Sequence, residues 1–189
     1  MNVTILHSLR QSLAIVATTA LLAACADKTP LAPDPRPTIS AQVSANAATE
    51  DKDDSLATLR RVTARYHDLG VAAKDGFVLL HDCEVRSEEG PVGTVYYNPA
   101  RLVDGVINPE KPDALIYEPG RDGRRPRLVG VEFAIPFTLW TQSEPPKFHG
   151  ATFQREDEFG VFGLHVWIWR KNPKGLFAES NPRVNCGAA

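Results

Sequence analysis

FGVFGLHVWIW, residues 159–169, is the longest strand-like run in the chain. Successive side chains of a strand point to opposite faces. Phe162, Leu164, Val166 and Ile168 therefore share one face, a continuous aliphatic stripe suited to a main core. Gly163, His165, Trp167 and Trp169 share the other. That second face is aromatic with polar tips, unlike the charged outside of a half-exposed strand. A second run, LVGVEFAI over residues 128–135, shows a similar split. Val129, Val131, Phe133 and Ile135 lie on one side; Leu128, Gly130, Glu132 and Ala134 lie on the other.

Three further runs read as strands: Phe77 to Val85, Val92 to Tyr97 and Ala114 to Glu118. Pro119-Gly120-Arg121-Asp122-Gly123 supplies turn chemistry between two of the five. Asn-Pro pairs at Asn98, Asn108, Asn172 and Asn181 mark the ends of runs or loops. Ahead of the strands, Leu56, Leu59, Val62, Tyr66, Leu69 and Ala73 recur every three or four residues, one face of a helix over Ser55 to Lys74. Asp53 and Asp54 favour its N-terminus, Gly76 is placed to cap its end, and Gly70 weakens its interior. One helix followed by strands gives an α+β domain rather than βαβ units. The expected picture is an N-terminal helix packed on a curved antiparallel sheet of about five strands, with a cystatin-like or related roll as one form within that class.

The domain has a preface of another kind. Leu13 to Ala24 is an apolar, small-residue run, too short to span a bilayer, which takes about 20 apolar residues. It reads as the core of an export signal, with Arg10 before it. Leu22-Ala23-Ala24-Cys25 resembles the bacterial lipobox. That resemblance implies cleavage before Cys25 and diacylation of its sulfur. The alternative is a plain secretory signal with Cys25 an ordinary thiol. The chain is thus read as a signal peptide over residues 1–24, a lipidated Cys25 with a tether over 25–53, and a single globular domain over 54–189. The tether carries Pro30, Pro33, Pro35 and Pro37, then an Ala/Ser/Thr-rich run with no apolar periodicity, and cannot bury enough surface to fold. As a coil it reaches roughly 30 Å. The expected location is the cell envelope, with the domain periplasmic or extracellular.

With Cys25 consumed, Cys83 and Cys186 are left, and an even remainder in an exported chain points to a disulfide. Closing a loop of roughly 100 residues is worth about 4.7 kcal/mol in the chain-entropy model. Two thiols distant in space are the alternative. Neither has a C-x-x-C partner, so no metal site of cysteines is expected.

Five segments resemble parts of a group of exported bacterial proteins of unassigned function: Val92 to Pro99, Pro112 to Glu118, Leu128 to Phe133, Leu164 to Trp169 and Asn181 to Cys186. In that group a histidine often stands where this chain has Val95. The resemblance implies one exported domain and no activity.

Glu132 and His165 fall on the same face if their strands are neighbours. A carboxylate beside an imidazole can serve as a general base, a proton relay or a metal ligand with its orienting partner. Trp167 and Trp169 beside them can stack on a sugar, an aromatic or a cation. His81, on the face of Cys83, Phe77 and Leu79, is a third candidate ligand, or a histidine hydrogen-bonded near the disulfide. The binding candidates are therefore His165, Trp167, Trp169, Glu132 and His81. Three readings stay open: a binding module using this face, an enzyme using His165 and Glu132, and a structural lipoprotein whose second face is simply another core. His149 sits in a loop and His67 on the solvated side of the helix. Arg121, Arg124, Arg125 and Arg127 form a basic hairpin tip, a solvated turn or a contact for anionic headgroups or cell-wall polymers.

The net charge of -2 argues against a dedicated nucleic-acid binder. G-x-S-x-G, H-E-x-x-H, P-loop and dinucleotide signatures are missing from the sequence. No cofactor or metal is expected. The expected partners are a membrane, through the lipid anchor at Cys25, and a small-molecule or cell-wall ligand.

Overall fold

The computed structural model describes residues 53–86 and 88–187, all within one compact unit, Pro37–Ala189. The expected signal, Cys25 and residues 25–52 of the tether lie outside the described residues.

Residues 53–63 are helical (α1), and their Leu56 and Leu59 are buried. Helical order then breaks. Thr63 Oγ1 donates back to Leu59 O (2.7 Å), and a 3-10 turn occupies Ala64–His67. Asp68 is extended, and its carboxylate accepts from Gly70 N (2.8 Å) to cap a short helix, α2, at Leu69–Lys74. The expected single helix over Ser55–Lys74 is thus corrected to three pieces. An aspartate followed by Gly70 offers the backbone a cap in place of the next turn. Gly76, at φ +89°, takes the left-handed position after α2 that favours glycine.

Six strands form one antiparallel sheet: β1 (Val78–Arg86), β2 (Gly90–Tyr97), β3 (Ala114–Glu118), β4 (Arg127–Pro136), β7 (Gln154–Glu156) and β8 (Val161–Val166). Their order is β1-β2-β3-β4-β8-β7, and β5 (Lys147–Phe148) pairs with β6 (Ala151–Thr152) separately. A one-turn helix, α3 (Pro99–Leu102), follows β2. β7 went unforeseen because its Gln-Arg-Glu has no apolar alternation to read. The sheet curls until its two edges approach: Arg86 on β1 reaches Glu156 on β7 (3.5 Å), and His81 stacks near Phe159 (6.1 Å between centroids). Three register shifts bend β1 along the way.

Two cores occupy the two sides of this sheet. On the outer side Leu115, Tyr117, Leu128, Val131, Phe133 and Leu164 are buried together with Leu56, Leu59 and Tyr66 of the helical segment. Tyr117 fixes the join by donating its hydroxyl to Tyr66 O (2.6 Å). Inside the curl, Val92, Val95, Ala114, Ile116, Val129, Trp167 and Val184 form the second core.

The bulge that sorts these residues corrects a sequence expectation. Ile116 pairs with Gly130 but Tyr117 with Leu128, so Val129 is an extra residue on β4. One inserted residue flips alternation. Leu128 therefore joins the outer core with Val131, while Val129 turns inward onto Trp167. Gly130 makes this close approach feasible: a Cβ there would stand 3.0 Å from Val166 O and 3.3 Å from the Trp167 ring.

A second correction comes at the end of β8. The ladder stops at Val166 instead of running to Trp169, because Ile168 N bonds Val166 O (2.9 Å) in a three-residue turn. Ile168 and Trp169 then both face the outer core. Trp169 donates its indole N–H to Thr63 Oγ1 (3.1 Å) and packs edge-on against His67 (4.5 Å). Trp169 thus leaves the face of His165, and His67 carries an aromatic contact as well as its solvated edge.

The chain after Asn172 first packs Leu176 and Phe177 on the outer core, and its residues 178–187 then cross the inner side as a strap. Asn172 Nδ2 donates to Ser180 O (2.9 Å), Asn181 N to Pro91 O (2.9 Å) and Asn181 Nδ2 to Arg170 O (3.2 Å). Val184 is buried in the second core, and Cys186 is disulfide-bonded to Cys83, Cα to Cα 5.2 Å, across 103 residues of chain. No described helix is long and apolar enough to cross a membrane.

Candidate functional site

Strands β4 and β8 are neighbours, and Glu132 stands directly opposite His165. The two side chains meet inside the curl, His165 Nε2 3.8 Å from Glu132 Oε2. Glu132 has room because residue 163 is glycine; a Cβ there would come within 2.8 Å of Glu132 Oε1.

The strap decides the histidine's tautomer. His165 Nδ1 lies 2.6 Å from Glu179 O, and a carbonyl only accepts, so Nδ1 carries the proton. Burial pushes the imidazolium of His165 below its usual range, against the pull of Glu179. The neutral ring then presents its Nε2 lone pair to Glu132. Burial raises the Glu132 carboxyl too, helped by Glu156 and partly offset by His81 and Arg86, to about 7. At 3.8 Å the pair is not hydrogen-bonded. Both shifts favour a neutral acid beside a neutral base over an ion pair.

Glu132 also borders an open cleft of about 240 Å³. Leu80, Tyr97, Leu102, Phe159 and Val161 form most of its wall; Asp113 and Glu132 supply its carboxyls. Asp113 precedes β3 and is tied to β4 twice, its N–H donating to Glu132 O (3.1 Å) and its Oδ2 accepting from Ala134 N (3.0 Å). Burial lifts its pKa to about 7; the Ala134 N–H and Arg101 pull it down, Asp104 and Glu132 push it up. Asp113 was missed in the sequence because Lys111-Pro112-Asp113 reads as a polar loop. Only the register of β3 against β4 puts it beside Glu132, and no pattern along the chain carries that.

The other candidates fall elsewhere. Trp167 is 2 % exposed, under the strap, with its indole N–H donating to Ala178 O (2.6 Å). Its ring meets the His165 ring edge-on (5.8 Å) and belongs to the second core. His81 lies on β1 with Nδ1 against Asp82 O (2.8 Å), near enough to Glu132 to act on its charge. His149 meets Ser55 Oγ (2.6 Å). Among the described residues no three His, Cys, Asp or Glu side chains group so as to hold a metal ion. The arginine tip borders its own depression of about 200 Å³, where Arg127 pairs with Glu118 and Arg121 donates to Asn185 Oδ1 (2.5 Å).

No family model, no curated protein and no solved structure matches this chain.

Proposed function

We propose that this chain is an exported cell-envelope protein, lipid-anchored at Cys25, whose α+β domain binds a small molecule in the cleft beside Glu132. The observation that carries the binding reading is the cleft itself: an apolar wall ending on two buried carboxyls, Asp113 and Glu132. Pockets of that make-up, mostly apolar with few placed polar groups, are the usual small-molecule sites. The lipobox-like Leu22-Ala23-Ala24-Cys25 and the proline-rich residues after it support the anchor. The helical segment ahead of a β1-to-β4 meander supports a cystatin-like roll as the name for the fold.

Native mass spectrometry of the full chain from its own host tests the reading. A small-molecule mass excess is expected, and Ala134→Leu, which fills the cleft wall, should remove it. A mass excess that survives Ala134→Leu, or bare protein throughout, would refute binding at this cleft.

A second reading, an enzyme, is favoured by the Glu132–His165 geometry. With Nδ1 committed to Glu179 O, the pair holds one movable proton between Nε2 and the carboxyl. Glu132, on the cleft wall, is then the group that gives or takes it, and His165 is its positioning partner. Time-dependent conversion of the captured molecule, lost in His165→Phe with binding kept, distinguishes this reading from binding alone.

A further inference from the structure

We infer that the cleft selects a small amphiphilic cation, an ammonium on an aryl or short alkyl body. This deepens the binding reading above and rests on it.

The cations that could balance the two carboxyls once ionised are engaged elsewhere on the protein. Arg101, the cation that acts on Asp113, donates to Pro112 O (2.9 Å) and to the Tyr66 hydroxyl (3.2 Å), with its guanidinium over the Phe77 ring (4.7 Å). Arg86, which acts on Glu132, is held among Glu84 (2.9 Å), Glu156 (3.5 Å) and Glu89 (3.6 Å). Neither Asp113 nor Glu132 has a Lys or Arg ion pair among the described residues; the nitrogen that approaches Glu132, His165 Nε2 at 3.8 Å, belongs to a ring that burial keeps neutral.

Hydrogen bonding tells the same story. Glu132 is 9 % exposed and accepts no hydrogen bond from any described residue, although it lines the cleft. Asp113, 3 % exposed, accepts only the Ala134 N–H. Neither carboxyl is sealed off, since Arg170 Nε is the only fully buried side-chain polar atom without a partner among the described residues; the unpaired oxygens of Glu132 and Asp113 open on the cleft, where an entering donor can reach them. An alkylammonium brings three N–H donors and the missing charge together; an alcohol brings one donor and no charge, and a carboxylate ligand brings repulsion. Tyr97 and Phe159 in the wall add aromatic faces, which attract cations. The volume, about 240 Å³, lies below the range of drug-sized sites and suits a single ring or short chain.

Binding an ammonium requires the carboxyls to ionise, so a proton leaves for solvent as the ligand enters. Glu132 faces Glu156, His81 and Arg86, with His165 and the strap's Glu179 behind it; Asp113 faces Asp104 and Arg101. With both carboxyls near 7, affinity for an amine that stays protonated should rise about tenfold between pH 6 and pH 8 for each carboxyl that must ionise.

The test uses the full chain and three matched probes, benzylamine, benzyl alcohol and benzoate, followed by the amide signals of Ala114 and Ala134. Benzylamine should shift both signals at least tenfold more tightly than benzyl alcohol, more so at pH 8 than pH 6, and benzoate should not shift them. Glu132→Gln should bring benzylamine down to the level of the alcohol. The wild-type pH series stands as the check if that variant does not fold. Equal binding of amine and alcohol, or amine affinity flat in pH, overturns the cation and leaves the binding reading in place. If none of the three shifts Ala114 or Ala134, both readings fall.

Discussion

The two sides of one sheet are built on different terms. On the outer side, Phe133, Val131 and Leu164 share an apolar core with Leu56 and Leu59 of α1, and the irregular chain at its margin contributes apolar side chains, Trp140, Leu176 and Phe177. On the inner side, the cover over Trp167 and Val129 is a strap of irregular chain, held by Asn172, Asn181 and the Cys83–Cys186 bond. That side also buries Glu132, His165 and Asp113. A helix face excludes charge because it brings no backbone donors or acceptors to the interface. A strap has free carbonyls, such as those of Ala178 and Glu179, that can satisfy an indole and an imidazole. Polar chemistry therefore collects where the cover is irregular.

The sharpest way to break this contrast is to damage the apolar side. Phe133 is fully buried and packs against Phe148 (5.0 Å), so Phe133→Ala should cost about 4 kcal/mol in denaturant unfolding. A loss below about 1 kcal/mol would mean that the outer core does not carry the fold. Next in size is the strap. Cys83→Ser with Cys186→Ser should cost about 3 kcal/mol, the usual measured size and less than the chain-entropy figure, and hydrogen exchange should show where. Protection should fall first at the Trp167 and Asn181 amides, with the β4–β8 ladder kept. A uniform fall would show the two interiors to be one cooperative unit.

The smallest effect concerns charge. Glu132 and Asp113 hold their protons more tightly when folded, with pKa values near 7 against ordinary values near 4. Their stabilising share is whole below about pH 4 and is lost as pH rises through about 7. His165, shifted down, has the opposite sign: its share is present above the ordinary histidine range and lost as pH falls. Glu132→Gln should flatten the decline from pH 4 to 8 and leave the domain about 2 kcal/mol more stable than wild type at pH 8. A variant less stable than wild type at pH 8 would show that ionised Glu132 is held by partners that the amide loses.

Much of the fold was written in short-range pattern. The alternation in residues 128–135 and 159–169 located β4 and β8, and it put Glu132 and His165 on one face before their strands were known to pair. What the pattern lacks is any mark for a slip in period. Val129 and Trp169 were each assigned to the wrong side because a bulge and a three-residue turn reset the phase, and both residues look apolar enough for either core. Gly130 was the nearest thing to a signal. The cleft was less legible still. Asp113, Leu80 and Phe159 come from a loop end, a bent edge strand and a turn, and only the curl brings them together.

That curl has a bearing on how the molecule behaves in a crowd of its own kind. β1 ends the sheet, and its Val78, Leu79, Leu80 and Val85 are exposed, which on a flat strand would offer a ready edge for another chain to add to. Here the edge is not flat. Its three register shifts against β2 bend the strand, and Arg86, set among Glu84, Glu89 and Glu156, puts a cluster of charge at its end. The opposite edge, β7, is three residues long and carries Arg155 and Glu156. Among the described residues, neither edge of the six-stranded sheet is a long straight template for another strand, and the bending that shapes the cleft is also what guards those edges.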